Sequence, residues 1–254
     1  MKKISIIIPA LNEEKNILFV IDNALLALKE FGISGEIIVI NDGSVDNTSF
    51  LVEKKIKEFP DIIKMIFHKK PEGIGASFWD GVDTARGEVV VMLPGDNEND
   101  PREILRYFCL MEHVDIVVPF IFNKEVRPFI RRLLSSWYNF IIRISFLVNF
   151  NYTNGTILCR RSVLKELEHR SKGFFITTDI LIRTAKKGYL FAEVPSRLDA
   201  RKSGKSNALS LSTFWRIFKE YLNLFLDIYF REKSQKNQII KESITYQRKF
   251  LKNN

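Results

Sequence analysis

Three short apolar runs, each leading into a polar loop and then into a helix-like segment, constrain the fold of this chain more than any other feature. The runs are residues 4–8, 36–40 and 89–93, and only Glu36 and Ser5 interrupt them. Strands that are apolar on both faces are typical of parallel sheets covered by helices on each side. Residues 16–31 carry apolar side chains at helical spacing between the first two runs. The alternation predicts an α/β fold with an open, mostly parallel sheet.

Two further runs, residues 62–67 and 115–119, predict additional strands. Gly73-Ile-Gly75 opens a predicted helix that extends to about Ala85. This glycine pair follows the third strand, whereas a GxGxxG fingerprint is absent after the first strand. A dinucleotide site of the Rossmann kind is therefore disfavoured.

Polar loops follow three of the predicted strands, at residues 9–14, 41–46 and 94–100. Ligands of parallel α/β sheets bind at the carboxyl ends of the strands, so we expect these loops to gather at one edge of the sheet. The third loop contains Asp96 and Glu98, and such carboxylates suit a divalent cation that carries a diphosphate. For this loop alone, the alternative is a solvated acidic turn with one capping Asp.

Charge is distributed unevenly along the 254 residues, whose net charge is +9. Residues 201–254 hold twelve Lys or Arg against four Asp or Glu, a net charge of +8, which leaves +1 for residues 1–200. Basic segments of this kind meet nucleic acids, anionic lipids or phosphorylated ligands. The segment lacks a nucleic-acid-binding motif and its aromatic residues have helical spacing, so we expect no nucleic-acid partner.

The two cysteines and the apolar segments indicate the cellular compartment of the protein. Cys109 and Cys159 have no metal-ligand spacing and indicate free thiols in a reducing compartment. The first apolar run is too short for a signal peptide. No run of roughly 20 uncharged apolar residues occurs, so no membrane span is predicted.

Two stretches, residues 129–150 and 211–230, have wide apolar arcs rich in aromatic residues and flanked by Lys and Arg. Such arcs suit helices that lie in the membrane interface. The alternative is that the helices pack over the sheet or across a homo-oligomer interface. The domain organisation predicted on this basis is a catalytic domain over 1–208 that includes the amphipathic helix 129–150, a second amphipathic helix over 209–232, and a basic polar tail over 233–254.

Ordered motifs over about residues 3–208 resemble glycosyltransferase family 2. The first three are Ser5-Ile-Ile-Ile-Pro9-Ala-Leu-Asn12-Glu13-Glu14, Ile38-Val-Ile-Asn41-Asp42-Gly43-Ser44-x-Asp46-x-Thr48 and Gly73-x-Gly75-Ala. The next three resemble the dolichol-phosphate mannose synthase, or polyprenyl-phosphate glycosyltransferase, branch: Thr153-Asn-Gly155, Gly188-Tyr-x-x-x-Glu193-Val-Pro195 and Arg201-x-x-Gly204-x-Ser206.

The resemblance implies the GT-A fold, a Rossmann-like nucleotide-binding domain whose mostly parallel sheet is flanked by helices, here with amphipathic interface helices. It implies an inverting transferase that moves a sugar from a nucleotide-sugar to polyprenyl phosphate or another lipid-linked acceptor in glycan or cell-wall biosynthesis. The enzyme would be peripheral on the cytoplasmic face of the membrane. The alternatives are a family 2 transferase acting on a sugar hydroxyl of a glycolipid or glycan, and a non-catalytic, transferase-like binding protein.

The resemblance also implies which residues bind the donor. The nucleotide site would consist of Pro9, Asn12, Glu13, Asp42 and Gly73. Asp96 would be the metal-binding Asp of the DxD element and would hold magnesium or manganese against the donor diphosphate. Glu98 stands where this branch usually has Gln and could also ligate the cation. Pro94 replaces the first Asp of DxD, and we hypothesise that Glu98 restores the lost negative charge.

Three further catalytic candidates come from the resemblance. Asp179 matches a position that usually carries an acid near the acceptor, and its alternative is a first-turn helix carboxylate. Arg201 and Lys205 match a basic loop that would close over the phosphates. The alternative is that both residues are merely part of the basic tail. Direct displacement by an anionic lipid phosphate needs no strong base. For a sugar hydroxyl acceptor, Asp179 would take the proton.

Overall fold

The computed structural model describes residues 2–197, 211–231 and 239–251, and these form one sheet with helices on both faces. The strands are β1 (Ile4–Ala10), β2 (Gly35–Asn41), β3 (Ile63–Phe67), β4 (Val89–Met92), β5 (Ile116–Ile121), β6 (Leu158–Arg160) and β7 (Phe191–Ser196). The helices are α1 (Ile17–Glu30), α2 (Thr48–Glu58), α3 (Ile74–Thr84), α4 (Pro101–Leu105), α5 (Phe129–Phe146), α6 (Arg161–Lys165), α7 (Ile176–Lys187), α8 (Leu211–Leu226) and α9 (Ile244–Tyr246). The strands and helices predicted before residue 121 are confirmed with small shifts at their ends.

The strand order is β3-β2-β1-β4-β6-β5-β7, and every neighbouring pair is parallel except the two pairs that contain β6. The predicted mostly parallel sheet is therefore confirmed. From β1 the chain proceeds outward to β2 and β3, and it then returns to the other side of β1 to form β4. A crevice opens where the strand order reverses, outside the carboxyl ends of β1 and β4.

Alternate residues of the central strands pack into two cores. Ile6 and Ile8 of β1 face the layer of α1, α2 and α4, whereas Ile7 faces α3, α6 and α7. All three side chains are fully buried. Burying an Ile side chain contributes about 1.5–3 kcal/mol, so this strand fixes the position of the loop that follows it.

The helices α5 and α8 pair with each other beside the sheet. Phe146 of α5 packs edge-on against Tyr221 of α8 at 5.8 Å between ring centroids, and the hydroxyls of Ser145 and Tyr221 lie 2.7 Å apart. The helix predicted over 129–150 ends at Phe146 because Leu147 has left-handed backbone angles, with φ 51°. A turn of π-helix, Asp227–Arg231, extends α8.

The segment that contains α9 packs against the amino ends of β5 and β7. The fully buried carboxylate of Asp115 accepts hydrogen bonds from the backbone N–H groups of Ile244 and Thr245, at 2.8 and 3.0 Å. The hydroxyl of Thr245 accepts from the N–H of Leu190 at 2.7 Å. Part of the stretch predicted as a polar tail is therefore packed on the body of the protein, while the domain boundaries proposed from the sequence stay a prediction.

Over the described ranges, none of the helices combines the length and the apolar character needed to cross a bilayer.

Candidate functional site

A cleft of about 670 Å³ opens at the carboxyl ends of β1, β2 and β4. Each of the three polar loops contributes to its lining, the first with Pro9 and Glu13, the second with Asp42, and the third with Asp96 and Glu98. The prediction that these loops gather at one edge of the sheet is confirmed. The cleft thus has a carboxylate-rich end on the parallel part of the sheet.

The first and second loops are held together by Asn12. Its backbone is left-handed, with φ 57°, its N–H donates to the Ser44 hydroxyl at 2.9 Å, and its Oδ1 accepts from the Val45 N–H at 2.9 Å. Asn12 is exposed and does not contribute to the cleft wall. Glu13 does, and its N–H donates to the Thr48 hydroxyl at 2.9 Å.

Asp42 is held at the cleft by several hydrogen bonds. Its Oδ1 accepts from the Glu72 N–H at 2.8 Å and lies 2.8 Å from His68 Nδ1, while its Oδ2 accepts from the Gly73 N–H at 2.9 Å. Gly73 has φ 102°, a conformation that L side chains rarely adopt. A Cβ on Gly75 would lie 2.5 Å from the Ser171 carbonyl oxygen. Gly73 is therefore required for the turn that delivers two N–H groups to Asp42, and Gly75 is required for the close approach of α3 to the backbone of Ser171 and Lys172.

The acidic third loop places Asp96, Glu98 and Asp100 on the cleft wall, and Asp100 also stabilises the start of a helix. Asp100 caps α4 by accepting from the Arg102 N–H at 2.9 Å, as predicted. Asp96 Oδ1 accepts from the Glu98 N–H at 3.1 Å, and Asn97 between them has φ 59°.

The described residues contain no group of three or more Asp, Glu, His or Cys side chains close enough to hold a metal ion by themselves. Asp96 and Glu98 instead offer two carboxylates at the cleft. Pro94 also lines the cleft, but its side chain has no atom that can bind a metal ion. Carboxylate oxygens are the ligand type that magnesium and manganese take in proteins, so Asp96 and Glu98 are the residues that would hold such an ion here.

The cleft wall also contains a group of arginines, which the sequence analysis did not identify. These are Arg127, Arg131, Arg197 and Arg216. The Arg127 guanidinium lies over the Tyr152 ring at 5.7 Å, and its Nε is buried with no hydrogen-bond partner among the described residues. The spacing of Arg127 and Arg131 at the start of a predicted amphipathic helix is the one signal that could have marked them.

Asp179 lies outside the cleft although α7 contributes Ile176 and Thr177 to its wall. Its side chain is 1% exposed, Oδ1 accepts from Arg183 Nε at 3.0 Å, and Oδ2 lies 3.5 Å from His169 Nδ1.

Arg183 also donates to Asp227 Oδ2 at 2.7 Å, so Asp179 belongs to an ion cluster that joins α7 to the turn after α8. The hydrogen bond to Asp179 raises the pKa of His169. The remaining catalytic candidates, Arg201 and Lys205, lie outside the described residues.

Residues 5–168 match the family model described as Glycosyl transferase family 2. Among curated proteins, the chain is 25% identical over 169 residues to dodecaprenyl-phosphate galacturonate synthase of Rhizobium johnstonii, covering 65% of this chain and 50% of that protein. It is 31% identical over 149 residues to undecaprenyl-phosphate 4-deoxy-4-formamido-L-arabinose transferase of Pectobacterium carotovorum, covering 57% and 44%. The chain spans about half the length of these two relatives.

A third relative, polyprenol monophosphomannose synthase of Mycolicibacterium smegmatis, is 28% identical over 216 residues, and the match covers 79% of both chains. Among solved structures, glucosyl-3-phosphoglycerate synthase from Mycobacterium tuberculosis, in complex with Mn²⁺, UDP-glucose and phosphoglyceric acid, superposes with a TM-score of 0.63. It is 17% identical, and the match covers 89% of this chain and 79% of that one. The predicted GT-A fold is confirmed by this likeness.

Proposed function

Since the chain belongs to glycosyltransferase family 2, we propose that it is an inverting enzyme that transfers a sugar from a nucleotide-sugar to polyprenyl phosphate. The observation that carries the proposal is a cleft whose wall combines several carboxylates with four arginines. The names of the three curated relatives, each of which refers to a polyprenyl or polyprenol phosphate, support this acceptor.

The carboxylate end suits the donor. Asp42 and Glu13 offer acceptors to N–H and hydroxyl groups of a nucleoside, and both line the cleft. Asp96 and Glu98 would hold a magnesium or manganese ion at the donor diphosphate. When bound, such an ion neutralises the negative charge that accumulates on the departing nucleoside diphosphate.

The arginines of the cleft suit the acceptor phosphate. Guanidinium groups bind phosphate oxygens in a bidentate manner, and Arg127 offers an Nε that has no hydrogen-bond partner in the described part of the chain. Arg131 and Arg216 line the same cleft. A phosphate oxygen held there attacks the anomeric carbon while the bond from that carbon to the diphosphate oxygen breaks. Because the phosphate is already anionic, the step requires no proton transfer to the protein.

An exposed apolar face on α5 and α8 supports peripheral attachment to a membrane, which we place on its cytoplasmic side, where the free thiols of Cys109 and Cys159 are compatible with a reducing environment. We call it the α5–α8 apolar face, and its side chains, each at least 40% exposed, are Phe129, Ile130, Leu133, Leu134, Trp137, Phe140, Ile141, Ile144, Trp215, Phe218, Leu222 and Leu226. Contiguous apolar surface of this kind marks an interaction site. Arg131 and Arg216, which line the cleft, lie on the same two helices, so docking of this face would bring these arginines close to the lipid phosphates.

The proposal is tested first by donor binding. The melting temperature of the full chain is measured with UDP, GDP, CDP and ADP, each with and without manganese. A nucleotide at a hundred times its Kd stabilises the folded state by about 2.7 kcal/mol, so one nucleotide should give a manganese-dependent rise. No rise with any nucleotide would overturn the proposal.

The acceptor is tested by transfer of radiolabelled sugar from the preferred donor to polyprenyl phosphate in detergent. We expect label in the lipid fraction. Label on a sugar-lipid acceptor but not on polyprenyl phosphate would show the transferase that acts on a sugar hydroxyl. Donor binding with no transfer to any acceptor would show a binding protein.

A further inference from the structure

We propose that His68 is a positioning residue for the donor nucleotide, which holds the Asp42 carboxylate so that Oδ2 keeps one acceptor position for an N–H group of the base. The inference rests on the proposed function, because it requires a nucleotide at the carboxylate end of the cleft. His68 itself is not among the residues that line the cleft. It would act through Asp42.

The His68 ring lies between two carboxylates. Its Nδ1 is 2.8 Å from Asp42 Oδ1, its Nε2 is 3.1 Å from Asp80 Oδ2, and its side chain is 8% exposed. An ionised carboxylate can only accept, so the ring nitrogen that carries the proton donates to the carboxylate beside it. When both ring nitrogens are protonated, the ring donates to Asp42 and to Asp80. The ring is fixed at both ends and cannot rotate without losing a contact to a carboxylate.

The backbone next to His68 adds a further restraint. Its N–H donates to the Asn41 carbonyl at 2.9 Å, so the end of β3 is tied to the residue that precedes Asp42. Asp80 comes from α3, whose first turn contributes Ile74 and Ser77 to the cleft wall. His68 thus connects β2, β3 and α3 at the point where the three elements form the nucleotide end of the cleft.

The hydrogen bonds to Asp42 leave one acceptor position of its carboxylate for a ligand. A carboxylate has about four acceptor positions, two on each oxygen. In the described structure, Oδ1 takes the Glu72 N–H and the His68 contact, and Oδ2 takes the Gly73 N–H. One position on Oδ2 remains, and Asp42 lines the cleft. It can receive the ring N–H of uracil or guanine, whereas the corresponding ring nitrogens of cytosine and adenine carry lone pairs that it would repel.

Two substitutions of similar polarity separate the contacts of the ring. His68→Asn places an amide nitrogen near the position of Nδ1 and can keep the contact to Asp42. His68→Gln places its amide nitrogen near the position of Nε2, and can keep the contact to Asp80 while it loses the one to Asp42. Asp80→Asn is a third variant, which leaves the His68 ring in place and removes the negative charge next to its Nε2.

The experiment is calorimetric titration of the full-length protein with the preferred nucleoside diphosphate and, separately, with inorganic pyrophosphate, both with manganese. We expect His68→Gln to weaken nucleotide binding at least about tenfold, which corresponds to about 1.4 kcal/mol. His68→Asn should stay within about threefold of the wild type. Pyrophosphate, which lacks the base and is bound at Asp96, should bind all variants alike.

Two results would overturn the inference alone: nucleotide binding by His68→Gln that equals the wild type, or an equal loss of nucleotide and pyrophosphate binding. The second result would mean a general structural role. Should His68→Gln fail to fold, Asp80→Asn tests the same arrangement, and we expect it to weaken nucleotide binding about threefold without changing pyrophosphate binding. A wild-type protein that binds no nucleotide would overturn the proposed function and this inference together.

Discussion

Asp96 and Asp100 belong to the same acidic loop but occupy different environments, and they should respond differently to substitution. Both side chains line the cleft, but Asp100 Oδ1 is engaged by the Arg102 N–H at the start of α4. We expect Asp96→Asn to remove most of the manganese-dependent thermal stabilisation by a nucleoside diphosphate, because one of the two carboxylates assigned to the cation loses its charge. Asp100→Asn is the control, since Asn caps a helix about as well as Asp. Equal nucleotide responses in the two variants would contradict the assignment of the cation to Asp96.

Substitutions of Arg127 and Arg132 test the proposed site for the acceptor phosphate in the same way. Arg127 lines the cleft, whereas Arg132 is exposed on α5 away from it. We expect Arg127→Ala to raise the KM for polyprenyl phosphate at least about tenfold, since a charge-assisted hydrogen bond to phosphate contributes about 1.5–3 kcal/mol. The KM for the donor should not change. A similar effect of Arg132→Ala would mean that general surface charge, rather than a phosphate site, binds the acceptor.

At the scale of elements, the ion cluster between α7 and the turn after α8 contains Asp179. We expect Asp179→Asn to lower the free energy of unfolding by about 3–5 kcal/mol, because the buried guanidinium of Arg183 loses the negative charge of one of its carboxylate partners. Urea denaturation measures this. Asp83→Asn, which breaks the exposed ion pair with Arg170, is the control and should cost less than about 1 kcal/mol. A large fall in kcat with unchanged stability would instead support the catalytic role considered for Asp179.

The pH dependence of this cluster follows from His169. Its pKa is raised above the usual 6.5 by the hydrogen bond to Asp179, so folding favours the protonated ring. That stabilisation is fully present below pH 6.5 and is lost as the pH rises through the raised pKa. The stability difference between the wild type and Asp179→Asn should therefore be larger at pH 6 than at pH 9.

The α5–α8 apolar face gives an element-scale prediction for membrane binding. Trp137 on this face is 58% exposed, and Phe19 on α1 is 62% exposed. We expect Trp137→Asp to weaken binding to vesicles of mixed phosphatidylcholine and phosphatidylglycerol about tenfold, because a large apolar side chain can no longer enter the interface. Phe19→Asp should bind as the wild type does. Equal losses would mean that the face is not the membrane contact. Cosedimentation measures both variants.

Sequence periodicity was sufficient to predict the helices and strands whose residues are buried in a regular pattern. The strands around Ile6 and Val91 and the helix after Gly73 were predicted because each pattern is local. The strand β6 was missed because it has three residues, too few for a period, and because its antiparallel position between β4 and β5 depends on distant partners. His68 and Arg127 were missed for the same reason, since their partners Asp42 and Tyr152 lie 26 and 25 residues away.

At the scale of the whole molecule, Asp115 connects the sheet to the segment that contains α9. We expect Asp115→Asn to lower the free energy of unfolding by about 3 kcal/mol or more, because the carboxylate accepts from Ile244 and Thr245 and lies 3.3 Å from Arg160. Exposed Glu112 provides the control, and Glu112→Gln should change stability by less than about 0.5 kcal/mol. Equal denaturation midpoints for the two variants would contradict this account.

The contact between Asp115 and Ile244 also has a consequence during synthesis. The two residues are 129 positions apart, so a ribosome that adds about 5–20 residues per second needs about 6–26 seconds to supply the partner after Asp115 is made. Through that interval, the nascent chain holds an anionic side chain whose final donors do not yet exist. The segment that contains α9 can cover this carboxylate only after synthesis has passed residue 245, so the burial of Asp115 is completed late in synthesis.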